Sequence, residues 1–156
     1  GPMGGIVSCL ETMKSDRLLV LAVDLPAMRP EVLEKILAAA ERDAGCQDEG
    51  SPGCAGISQE VGSGTVVMSG AGVESGALGA VFQSGEFLEP LAAVYPKSML
   101  PAGRRRLEEG NRSLKEWIHE SAKLMRILPL PEVWSTAFQN VNDPVEWKHW
   151  LERGPV

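Results

Sequence analysis

Arg17-Leu18-Leu19-Val20-Leu21-Ala22-Val23-Asp24-Leu25-Pro26 is the stretch on which the fold turns. Behind Ser15-Asp16 it is apolar at odd and even positions alike from Leu18 to Val23. A strand with one covered face alternates in polarity, whereas a run apolar on both faces suits a central parallel strand with helices on each side. The run stops at an acid and a proline, and open α/β sheets bind ligands at the carboxyl ends of such strands. Upstream, Ile6, Val7, Leu10 and Met13 recur at helical spacing within Gly4 to Lys14. Downstream, Pro30 fits a first helical turn ahead of the apolar stripe Leu33, Ile36, Leu37 and Ala40. Helix, buried strand, acidic turn and helix make an α/β pattern.

Residues 44–79 break it. Their glycines and serines carry no usable periodicity and read as an excursion, with Thr65-Val66-Val67-Met68 as a short strand within it. Ser84-Gly85 between Ala80–Gln83 and Phe87–Tyr95 signals a hairpin, hence an antiparallel element on a mostly parallel sheet. Pro96-Lys97-Ser98 opens a helix ending at Gly110, Ser113 to about Ala122 forms another, and Leu124–Leu130 reads as a strand. Asp143-Pro144-Val145-Glu146 has the pattern of a helix cap, with Trp147, Trp150 and Leu151 on the side expected to be buried.

At 156 residues the chain has the length of one domain, 1–156, with 44–79 inside it. Its 44% hydrophobic and 23% charged residues exclude wholesale disorder. A net charge of −6 argues against nucleic-acid binding, and no apolar run approaches the ~20 residues of a membrane helix. Cys9, Cys46 and Cys54 read as free thiols of a reducing cytoplasm rather than a zinc site. Arg104, Arg105 and Arg106 are consecutive, point in different directions around a helix and read as a solvated face. Trp134, Trp147 and Trp150 read as core or interface, and His119 receives no role.

Four segments in order resemble the molybdenum cofactor guanylyltransferases, the MobA-like NTP transferase family. They are Gly1-Pro2-Met3-Gly4-Gly5-Ile6, Leu19 to Pro26 with its Asp-x-Pro ending, Glu89 to Tyr95 followed by Arg112-Ser113-Leu114, and Phe138-Gln139-Asn140-Val141-Asn142-Asp143-Pro144. The resemblance implies an α/β, Rossmann-like, three-layer nucleotidyltransferase fold. It implies transfer of GMP from GTP to molybdopterin with release of pyrophosphate, assisted by Mg²⁺. It also assigns residues. Asp24 becomes the metal ligand and, with Gly1, Pro2 and Gly5 of a loop before the first helix, part of the nucleotide site. Asn140 and Asn142 fall on the acceptor side, where amides that donate and accept suit a pterin edge.

The family opens with a strand and a glycine-rich loop of the type Leu-x-Gly-Gly-x-Ser-x-Arg-Met-Gly, then a lysine. This sequence contains no such segment. The expected fold therefore lacks its N-terminal strand or strands and keeps an open sheet edge with apolar surface. Either the chain is the C-terminal portion of a longer gene product, or a second copy or another partner covers that edge, or the domain has diverged and no longer catalyses; the chain alone is expected to be inactive or weak. The competing reading is a non-catalytic binding module that retains the fold.

Overall fold

The structure, a computed structural model, describes residues 1–41 and 78–153. The strand expected at Thr65–Met68, Cys46, Cys54 and almost all of the glycine-serine stretch lie outside the described residues. Helix α1 (Pro2–Thr12) precedes strand β1 (Arg17–Leu21), and helix α2 (Pro30–Glu41) follows it. The hairpin forms as read, with β2 (Gly79–Ser84) and β3 (Phe87–Pro96) joined at Gly85, whose φ of 57° lies where glycine carries no Cβ penalty. Then come α3 (Leu100–Glu108), α4 (Leu114–Glu120), β4 (Met125–Pro129) and α5 (Pro144–Arg153). Short 3-10 turns at Lys97–Met99, Ala122–Leu124 and Glu132–Phe138 fill the connections.

The sheet order is β1-β3-β2-β4. β3 pairs antiparallel with both β1 and β2, while β4 pairs parallel with β2. Three strands therefore share one direction and β3 alone runs against them, which is the mostly parallel sheet with an antiparallel excursion.

The place of β1 differs from the sequence reading. Among the described residues it lies at an edge, its hydrogen-bonded neighbour is the antiparallel β3, and only one of its faces is covered. Leu18 and Val20 pack into the core that α1, α3 and α4 build around Tyr95 and Trp117. Those two rings stack, with centroids 5.4 Å apart. On the opposite face α2 packs chiefly on β2, with Val32, Ile36 and Ala40 meeting Ala80, Phe82 and Val94. Leu19 and Leu21 point to that second face and remain 38% and 41% exposed. Periodicity records what a strand can bury, and its neighbours decide what it does bury.

Two further expectations are corrected. Arg106 is buried between α3 and α4, its guanidinium 2.8 Å from Glu120 and 2.5 Å from Glu116, while Arg104 and Arg105 are exposed and pair with Glu11 and Glu120. The cap of α5 forms, with Asp143 Oδ1 accepting from the Val145 and Glu146 amides at 2.7 and 2.8 Å. Its apolar side is not buried, however. Trp147 and Trp150 stack on each other, and Trp147 and Leu151 stay 45% and 58% exposed.

Candidate functional site

β1 ends at Leu21, and the chain leaves it tied on two sides. The Ala22 amide donates to the Leu91 carbonyl at 2.7 Å, and the Asp24 carbonyl accepts from the Val141 amide at 2.9 Å. The second bond joins the turn after β1 to the Asn140–Asn142 segment across more than a hundred residues of sequence. A cavity of about 120 Å³ opens there, lined by Ala22, Asp24 and Leu25, by Glu89 to Ala92 of β3, and by Asn140. That is below the ~300 Å³ at which small-molecule pockets begin, so it accommodates an ion with its waters or one end of a larger ligand.

β3 reaches this cavity through an irregularity. Val81 pairs with Ala93 and Gln83 with Leu88, so Phe82 alone faces the four residues Glu89 to Ala92. Such bulges bend a strand and re-aim its side chains, and Pro90, which offers no amide to the ladder, suits one. The Tyr95 hydroxyl, whose pKa burial pushes well above its ordinary value, donates to the Pro90 carbonyl at 2.8 Å and braces the bulge from the core side. Burial also raises the Glu89 carboxyl above its ordinary value of 4.5.

Asp24 and Asn140, two of the residues singled out from the sequence, thus meet at one cavity. The others do not. Gly1 caps α1, while Pro2 and Gly5 lie inside its first turns rather than in a loop before it, because proline is well suited to a first helical turn. None of the three lines the cavity. A Cβ built on Gly1 or Gly5 would meet nothing within 4 Å, so packing within the described chain does not require glycine there. Asn142 is exposed, and its amide donates to Glu146 Oε2 at 2.9 Å as part of the α5 cap. Glu89 also lines the cavity and is not among the residues the sequence singles out. Its only signal was a carboxylate before proline in an apolar strand, and no alternation rule announces a four-residue bulge.

The polar side chains on the cavity are two carboxylates and an amide, a hard oxygen set that fits a divalent cation such as Mg²⁺. Among the described residues no three or more His, Cys, Asp or Glu converge. A cation held here would complete its shell with water or phosphate oxygens, as Mg²⁺ usually does.

A mixed sheet between helical layers, with an acid just past a strand's carboxyl end, is an α/β arrangement in which ligands bind at that end. Residues 1–124 match the MobA-like NTP transferase domain, and the chain belongs to that family. It is 27% identical over 133 residues to the Nostoc sp. PCC 7120 protein named "Probable molybdenum cofactor guanylyltransferase", covering 85% of this chain and 50% of that one. A protein of the same name from Opitutus terrae is 37% identical over 68 residues, covering 42% of this chain and 34% of its own. Among solved structures, molybdopterin-guanine dinucleotide biosynthesis protein A from Archaeoglobus fulgidus superposes with a TM-score of 0.60 at 20% identity, covering 98% of this chain and 62% of that one. The chain spans at most about half the length of these two curated relatives.

Proposed function

We propose that the chain is the metal and acceptor side of a molybdenum cofactor guanylyltransferase, which moves GMP from GTP to molybdopterin and releases pyrophosphate in the cytoplasm. The observation that carries this is the meeting of Asp24 with Asn140 at the end of β1, secured by the Val141–Asp24 bond. Asp24 would hold Mg²⁺, which when bound offsets the negative charge that grows on phosphate oxygens during transfer. Asn140 and Asn142 would orient the pterin, each amide offering both a donor and an acceptor. Gly1, Pro2 and Gly5 would face the nucleotide with little side-chain bulk in the way.

The groups that grip a triphosphate are the ones the sequence does not supply, and a unit docked along the open edge of β1 would bring them. That unit is a further segment of the same polypeptide, a second copy or another polypeptide. The bare apolar face of β1 favours one further reading, in which the chain is a non-catalytic module that keeps the fold and binds a partner there.

Calorimetry separates the two. GTP with Mg²⁺ titrated into the chain should release heat that Asp24→Asn abolishes. Absence of heat with the parent chain sinks the enzyme reading for the chain alone and leaves the binding module.

A further inference from the structure

A second carboxylate faces the cavity, and the reading above gives it no task. Glu89 stands on the bulge of β3 and lines the same cavity as Asp24 and Asn140. The β1–β3 ladder ends at Leu21 and Ala92, and beyond it the turn carrying Asp24 and the bulge carrying Glu89 line the cavity together. The placement is held from several directions. The Ala22–Leu91 bond fixes the bulge to the end of β1. The Tyr95 hydroxyl holds the Pro90 carbonyl, and the Tyr95 ring is itself locked by its stack on Trp117 in the fully buried core. Among the described residues, no hydrogen bond or ion pair engages the Glu89 carboxylate. A half-buried carboxylate without a partner costs stability unless an opposite charge reaches it.

We propose that Glu89 is a second oxygen ligand of the divalent cation held by Asp24, the β3 bulge existing to deliver it. This rests on the reading of Asp24 as a metal ligand. One carboxylate leaves a divalent cation half neutralised, whereas two balance it and leave the remaining positions to water and phosphate. The count of charged ligands is a main determinant of affinity at such sites.

Mn²⁺, followed by the loss of its free-ion EPR signal, serves as the probe for the parent chain, Asp24→Asn, Glu89→Gln and Glu89→Asp. Glu89→Gln should weaken Mn²⁺ binding by about tenfold or more. Its thermal midpoint should stay level or rise, because a half-buried charge has gone. Glu89→Asp keeps the charge but withdraws it by one methylene, and should fall between Gln and the parent; it decides the matter if the Gln variant does not fold. Parent-like Mn²⁺ affinity in the Glu89 variants beside a loss in Asp24→Asn overturns this inference and leaves Asp24 standing. A parent chain that takes up no Mn²⁺, or binding that no substitution weakens, overturns both.

Discussion

On one face of the sheet Met3, Leu10, Tyr95 and Trp117 are each 0% exposed, while on the other Leu19 and Leu21 stay more than a third exposed. All belong to the same small α/β unit. The difference lies in which helices reach β1. α1 packs on β1 and α3, so the first face is closed from edge to interior, whereas α2 sits over β2 and stops short of β1's outer side chains. Among the described residues β1 therefore has the composition of an interior strand in the position of an edge strand. The contrast separates, among those residues, a face that is closed from one that stays open, and Asp24 lies just past the end of the strand that carries both.

The largest effect expected tests the closed face. Trp117 is fully buried, stacked on Tyr95, and lies 2.7 Å from where a Cβ on Gly103 would stand, so α3 and α4 meet around it. Trp117→Ala should cost about 3–5 kcal/mol in chemical denaturation, a large share of the stability of a domain this size. A loss below about 1 kcal/mol would mean that this face is not the sealed one.

The same contrast explains what could be read in advance. Signals carried within a few residues were legible: Pro30 at a first turn, Ser84-Gly85 in the hairpin, Asp143 to Glu146 in the cap. Features that depend on distant neighbours were not. Leu19 and Leu21 look identical in sequence to Leu18 and Val20, and only the reach of α2 divides them. Arg106 looks identical to Arg105 and both reach Glu120 of α4, yet of the two only Arg106 is buried. In the site, Asp24 and Asn140 were legible through family resemblance, and their meeting depends on one backbone bond far along the chain. Glu89 was illegible because the bulge resets the alternation that a strand reading relies on.

A smaller effect concerns pH and again belongs to the closed side. The hydrogen bond from Asn111, and after it the bond from Arg106, hold the Glu116 carboxyl below its ordinary value of 4.5. Because the folded value is the lower one, this contribution is fully present above pH 4.5 and is lost as pH falls through the folded value. Thermal midpoints of the parent and Glu116→Gln, followed downward from neutral pH, should converge below 4.5. A constant gap would mean that the ion pair leaves the folding equilibrium independent of this proton.

The smallest effect is expected where the surface is bare, and its smallness is informative. Leu19→Thr with Leu21→Thr exchanges two half-exposed leucines for a residue that strands accept well. If nothing covers that face, stability in dilute solution should move by no more than about 0.5 kcal/mol, because surface substitutions away from packed features rarely do more. A parent chain that associates through the edge should show a concentration-dependent thermal midpoint, since association adds stability by mass action, and the double substitution should remove that dependence. A loss of more than about 2 kcal/mol in dilute solution would instead show leucines that are packed, at the usual cost of emptying a core position. β1 would then be an interior strand after all, as its composition first indicated, and the contrast between a closed face and an open one would have to be drawn elsewhere than across β1.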